Sequence, residues 1–261
     1  MSYFTLEHDG ANPPAVFLHG FCQSSGYWEP TAGRLAAAGI RCVAPDLPGF
    51  GASADESGPY TMAGLADSLA RLLDARGIAR ITLIGGSMGG VVAQHFVLRY
   101  PERVGRLLLV ATGATTADPA AALAKADAME ASPWDEAAIT PVVNGFFLHP
   151  PSGPELARFR SIALGAAPAA AIEAARSNAV NDTLGQLSGI RVPTLIVQGR
   201  HDRARTPEHG ELMRACIPGA TLAVIEDAGH TPQIEQADAF HEVALPFLLA
   251  ARVHEPATGR I

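Results

Sequence analysis

One serine in this chain stands between glycines at a spacing that suits a nucleophile. The stretch Ile81-Thr82-Leu83-Ile84-Gly85-Gly86-Ser87-Met88-Gly89-Gly90 reads as a buried strand, a sharp turn and a helix. The helix runs from Met88 through Val91, Val92, Phe96 and Val97 to Tyr100, where Pro101 stops it. Gly85 and Gly89 flank Ser87 in the G-x-S-x-G pattern of a nucleophile elbow. A serine on such a turn is strained, so its neighbours must lack bulk for strand and helix to pass closely. Its hydroxyl is held out of the sheet, over the positive end of the next helix. The run G-G-x-x-G-G fits neither the G-x-G-x-x-G of a dinucleotide site nor a phosphate loop ending in Gly-Lys-Ser/Thr.

A serine hydroxyl is a weak nucleophile alone. It needs a base within hydrogen-bond reach and a group that orients the base. In an open α/β sheet these partners sit on loops at the carboxyl ends of strands. Two loops qualify. Leu195–Gln198 runs into Gly199-Arg200-His201-Asp202, and Leu222–Ile225 runs into Glu226-Asp227-Ala228-Gly229-His230. Ser87, Asp202 and His230 follow the chain order serine, acid, histidine of one established triad. Asp227, only three residues before His230, reads as a turn carboxylate. Cys22 has no dedicated base and reads as a spectator thiol.

The elements that must position these groups alternate. Tyr3–Glu7 reads as an edge strand, Ala15–Leu18 as a buried strand and Ile40–Ala44 as the next. Helical patterns cover Trp28–Ala38, closed by Gly39, and Tyr60–Arg76, closed by Gly77. Arg106–Ala111, Pro193–Val197 and Thr221–Ile225 are further strands, and Pro207–Cys216 and Pro232–Ala250 further helices. Such alternation predicts an α/β fold with a mostly parallel, doubly wound sheet and helices on both faces. From Ala114 to Ser188 the chain is alanine-rich and broken by prolines, which predicts three to five short helices inserted into the core.

Five segments together resemble the α/β-hydrolase family, in its compact subgroup with a helical cap. They are Leu18-His19-Gly20-Phe21, Asp46-Leu47-Pro48-Gly49-Phe50-Gly51-Ala52-Ser53, Gly85–Gly90, Gly199-Arg200-His201-Asp202 and Ala228-Gly229-His230-Thr231-Pro232. The resemblance implies a core of residues 1–113 and 189–261 and a cap or lid of residues 114–188. It implies that Ser87 attacks a carbonyl carbon, His230 moves the proton and Asp202 orients His230. The backbone N–H groups of Phe21 and Met88 would form the oxyanion hole. It makes His19 and Asp46 structural residues of their loops. The family fold begins with two strands before the His19-Gly20 segment, and this chain offers one clear candidate, which predicts a sheet trimmed at that edge. A serine at the elbow sets the chain apart from relatives that use aspartate to form alkyl esters.

The expected reaction is hydrolysis of small to medium hydrophobic carboxylic esters or lactones through an acyl-enzyme. Relatives with the same triad cleave carbon–carbon bonds of vinylogous diketones or eliminate pyruvate, and some members act as low-turnover ligand receptors. Trp28, Trp134, Phe146 and Phe147 are candidate pocket residues, beneath an apolar lid that also carries Met129 and Leu148. Asn144 and Arg176 are the candidates for holding a substrate carboxylate; the arginines of the insertion otherwise read as solvated.

Bulk properties narrow the partners. The 261 residues suit one α/β domain with an insertion, and 48% hydrophobic residues can fill a large core. Net charge is 19 − 26 = −7 without a basic run, which argues against nucleic acid or an anionic membrane as partner. No apolar run reaches the roughly 18 residues of a membrane span. Three cysteines without a framework spacing point to a reducing cytoplasm. No zinc-like His/Cys spacing occurs, so neither metal nor cofactor is expected. The expected partner is a small-molecule ester-like substrate, with monomer and homodimer both open.

Overall fold

The apolar runs build one sheet in the computed structural model, which describes residues 5–250. Its strands are β1 (Thr5–His8), β2 (Ala11–Leu18), β3 (Ile40–Pro45), β4 (Ile81–Gly86), β5 (Val104–Val110), β6 (Thr194–Gly199) and β7 (Thr221–Ile225). The order is β1-β3-β2-β4-β5-β6-β7, with β1 antiparallel to β3 and every other pair parallel. Among the described residues one strand, β1, precedes the His19-Gly20 strand; Tyr3, the expected start of that strand, lies outside them.

Side chains alternate along each strand, so the sheet splits the core in two. Val16, Leu18, Leu83, Leu107 and Leu109 face one layer; Phe17, Ile84, Leu108 and Val110 face the other. The helices α1 (Glu29–Ala37), α2 (Met62–Ala75) and α3 (Met88–Arg99) follow β2, β3 and β4. α2 and α3 pack together on the first face through Leu65, Leu69, Val92 and Phe96, while α1 covers the second with Leu35. Gly39 and Gly77 take positive φ at the ends of α1 and α2, as C-terminal glycines do.

Four helices lie between β5 and β6: α4 (Pro119–Glu130), α5 (Glu136–Asn144), α6 (Gly153–Leu164) and α7 (Pro168–Ala179). α4 packs on α7 and α5 on α6. The chain leaves the core and returns to it side by side, through a bridge between Thr115 and Asp182. The remaining helices are α8 (Pro207–Cys216), α9 (Pro232–Glu235) and α10 (Ala237–Leu249). The single helix expected over Pro232–Ala250 is therefore two. Gln236 leaves helical geometry, with φ −132° and ψ 57°. The break lets Glu235 turn back to the His230 loop while α10 lays Phe240, Ala244 and Leu248 on the sheet.

The elbow is a site of close backbone approach. A Cβ on Gly89 would press on the carbonyl oxygens of Leu18 and His19 and stand 2.6 Å from the Leu18 carbonyl carbon. Backbone atoms at a strand end yield little, so Gly89→Ala should destabilise by about 1–3 kcal/mol. A thermal melt should show Tm lower by about 2–12 °C; an unchanged Tm would mean that α3 is free to slide away from β2.

Candidate active site

The elbow is held from both sides. Ser87 has φ +51° and ψ −118°, a conformation L-residues avoid, and it links the end of β4 to the start of α3. Its N–H donates to Val110 O at 2.8 Å, and its carbonyl accepts from Thr112 Oγ1 at 2.8 Å. These two bonds to the end of β5 lock the strained residue and leave its hydroxyl pointing away from the sheet.

The loops after β6 and β7 bring the two other expected groups to it. His230 Nε2 lies 2.7 Å from Ser87 Oγ, and His230 Nδ1 lies 2.7 Å from Asp202 Oδ2. Asp202 is buried, and its second oxygen accepts from the backbone N–H groups of Ala204 and Arg205 at 2.8 and 2.9 Å. Both oxygens of the carboxylate are therefore committed, which fixes its plane and the histidine ring that it holds. Asp227 does not reach this chain of bonds: it occupies a tight turn with φ +51°. Asp46 accepts from the backbone N–H groups of Ser25 and Ala52 and braces its own turn. His201 is exposed, and His95 pairs with Asn181.

The loop after β2 passes in front of Ser87. A Cβ on Gly20 would lie 3.2 Å from Ser87 Cβ. Among the described residues no acceptor meets the N–H of Phe21 or of Met88. His19 anchors this loop: Nδ1 bonds Gly20 O at 2.8 Å and Nε2 accepts from Leu47 N at 2.9 Å. Burial pushes the pKa of its imidazole down, so it remains neutral and serves as a brace. Cys22 is fully buried, and burial pushes its thiol far up, away from the reactive thiolate.

Two positioning residues escape the motifs. Gln23 Oε1 accepts from Gly20 N at 2.9 Å and so ties down the His19–Gly20 peptide, next to the peptide that carries the Phe21 N–H. Glu235 Oε1 accepts from the N–H groups of Gly229 and Thr231, both at 3.0 Å, and thus clamps both sides of His230; Oε2 accepts from Leu148 N in the insertion. The local signal for Glu235 is an acid in the first turn after Pro232. Gln23 has none beyond its nearness to Gly20. Gln23→Ala should lower ester turnover about 10- to 100-fold, below the cost of losing an oxyanion donor outright. Steady-state kinetics on the folded variant decide this, and a rate within about 2-fold of wild type would exclude Gln23 from positioning the loop.

Ser87 and His230 open on a cavity of about 520 Å³ between the core and the insertion. Phe21 and Phe146 line it, and the Phe146 ring stacks on His230 with centroids 6.3 Å apart. Other aromatic expectations need correction. Trp28 points to the opposite face of the sheet, packs on Phe17 and donates Nε1–H to Leu18 O, using space left by Gly86. Trp134 is tied to Leu164 O, and Phe147 packs on Phe159; neither lines the cavity. The Met88 side chain is core, which leaves its N–H as its contribution to the site. Arg176 lies across Asp127 and Glu130 on the surface instead of facing a substrate, and Asn144 does not line the cavity.

No helix of the described residues is long and apolar enough to cross a membrane. Residues 15–243 match the model of the alpha/beta hydrolase family. A 2-hydroxy-6-oxo-6-phenylhexa-2,4-dienoate hydrolase of Burkholderia cepacia is 31% identical, across 93% of this chain and 90% of the relative. The structure of an enol-lactonase from Burkholderia xenovorans LB400 superposes with TM-score 0.85 at 26% identity, covering 94% of this chain and 96% of that one. A thermophilic esterase from Thermogutta terrifontis gives 0.83 at 27% identity, covering 96% and 94%. A family match over most of the chain, together with a sheet and helices shared with these structures, shows that this protein belongs to the alpha/beta hydrolase family.

Proposed function

We propose that this protein is a serine hydrolase that opens carboxylic esters or lactones through an acyl-enzyme. The observation that carries the reading is the continuous chain Asp202–His230–Ser87, both links 2.7 Å, facing a cavity. In it His230 Nε2 takes the hydroxyl proton as Ser87 Oγ adds to the substrate carbonyl carbon. The oxygen that becomes negative is received by the N–H groups of Phe21 and Met88. Collapse of the adduct breaks the ester bond, and the imidazolium returns its proton to the departing alkoxide. Water then repeats the sequence on the acyl-enzyme and releases the acid. Asp202 keeps the histidine proton on Nδ1, the tautomer this requires. The helices α4, α5 and α7 act as the lid, and the Phe21 and Phe146 rings give the acyl part an apolar wall.

A second reading has its own support. The Burkholderia cepacia relative is a dienoate hydrolase, and a 2-hydroxy-6-oxo-dienoate has no ester to open. Its hydrolysis breaks a carbon–carbon bond next to the ketone. The same serine, histidine and N–H pair can serve that reaction once the substrate's enol has become a ketone. The test is a p-nitrophenyl ester series from acetate to decanoate, run beside a vinylogous diketone acid. Turnover of the esters with a chain-length optimum supports the ester reading. A single burst on the esters with turnover of the diketone acid replaces it by the carbon–carbon reading.

A further inference from the structure

The cavity carries a charge pattern that the triad does not use. Lys125 is the only lysine in the chain. It stands on α4 and lines the same cavity as Ser87. Arg203 and Arg205, on the loop just after Asp202, line it as well. The whole chain has net charge −7, yet no aspartate or glutamate lines this cavity. Arg205 is tied down, its guanidinium donating to Thr115 O at 3.0 Å. Lys125 and Arg203 differ: among the described residues neither has an ion pair or a side-chain hydrogen bond. This contrasts with Arg160 and Arg176 of the insertion, which are paired with Glu136 and with Asp127 and Glu130. Two solvent-exposed cations without partners, beside a third whose acidic neighbour is the buried Asp202, make a local field that draws an anion.

We propose that Lys125 and Arg203 form a carboxylate-binding subsite, so that the substrates are acids that carry the scissile carbonyl at their other end. The proposal rests on Ser87 being the nucleophile of this cavity. A substrate of this class has one charged end at the cations and an apolar stretch along Phe21 and Phe146. Its reacting carbonyl lies at Ser87. Lys125 belongs to the insertion and Arg203 to the core, so the carboxylate bridges the two and helps to hold the lid over the bound substrate. Selectivity then comes from charge at a distance from the reacting bond, which acts mainly on KM.

Two matched esters test this. p-Nitrophenyl hexanoate and the p-nitrophenyl monoester of adipic acid have the same chain length and differ only in a terminal methyl or carboxylate. The wild type should favour the adipate monoester. Lys125→Gln combined with Arg203→Gln should lower kcat/KM for that ester by at least about 10-fold, mostly through KM, and leave hexanoate within about 2-fold. An equal fall on both esters, or a fall on neither, overturns the subsite.

If the wild type turns over neither ester, the ester reading has failed, and a second measurement judges the subsite by itself. Because the chain has one lysine, an amine-reactive reagent and peptide mass mapping report on Lys125 alone, apart from the N-terminal amine. In the Ser87→Ala protein, adipate should slow labelling of Lys125 by at least about 3-fold at a concentration where adipamide does not. Equal labelling with adipate and adipamide overturns the proposal.

Discussion

Ser87→Ala should lower kcat on a p-nitrophenyl ester by between about 1,000-fold and about 1,000,000-fold, the range seen when a triad serine is removed. The loss comes from removing the atom that bonds to the acyl carbon; every other group of the site remains. The variant should fold normally. Ser87 keeps both backbone bonds, to Val110 O and from Thr112 Oγ1, and only the bond between its hydroxyl and His230 disappears. Alanine also takes the φ of +51° at about the strain of serine. Steady-state kinetics with a thermal melt as control give the answer. Residual activity within about 10-fold of wild type, in a sample free of the parent enzyme, would place the nucleophile elsewhere.

Asp202→Asn should cost about 10,000-fold in kcat while preserving the shape of the site, a magnitude known from triads of this kind. The local hydrogen bonds set the direction of the effect. One oxygen of residue 202 accepts from two backbone N–H groups, those of Ala204 and Arg205. An asparagine would leave its carbonyl oxygen on those donors and turn its NH₂ toward His230 Nδ1. Nδ1 would then have to accept, the proton would move to Nε2, and Nε2 could no longer take the proton of Ser87. Asp227→Asn is the control. Its carboxyl lies outside the bonded chain, so its rate should stay within about 2-fold of wild type. A rate for Asp202→Asn close to wild type, or an equal loss in Asp227→Asn, would refute the assignment of the acid.

Much of this site is legible in the sequence because its signals are local. The glycines around Ser87 report the close passage of α3 over the end of β2, and the apolar runs of β4, β5 and β6 report strands covered on both faces. Spacing separates Asp202 from Asp227 before any distance is known: Asp202 follows the strand before that of His230, whereas Asp227 is only three residues from the histidine. The facing of the insertion is not legible in this way. Phe146 and Phe147 are adjacent, yet one stacks on His230 and the other packs on Phe159. Which of them looks into the cavity depends on how α5 and α6 dock, and no local spacing records that. Trp28 follows the loop in front of Ser87, but the room beside Gly86 and the bond from its Nε1–H to the carbonyl of Leu18 hold it on the other face of the sheet.

The cations illustrate the same limit. Arg176 is the arginine that reads in sequence as a partner for a substrate carboxylate, and two neighbouring acids take it. Lys125 and Arg203 are far apart in the chain, and only the docking of the insertion on the core brings them to one cavity. Gln23 and Glu235 are ordinary polar residues in sequence. They gain their roles because each meets backbone N–H groups of a loop that carries a reacting atom.

The central claim is that Ser87 Oγ is the atom that bonds to substrate. A fluorophosphonate reagent followed by peptide mass mapping tests it most directly. The protein should gain a single adduct, on Ser87, in step with the loss of ester turnover, and His230→Ala should slow its formation by orders of magnitude. An adduct on another residue, or undiminished turnover in a protein labelled at Ser87, would contradict the account.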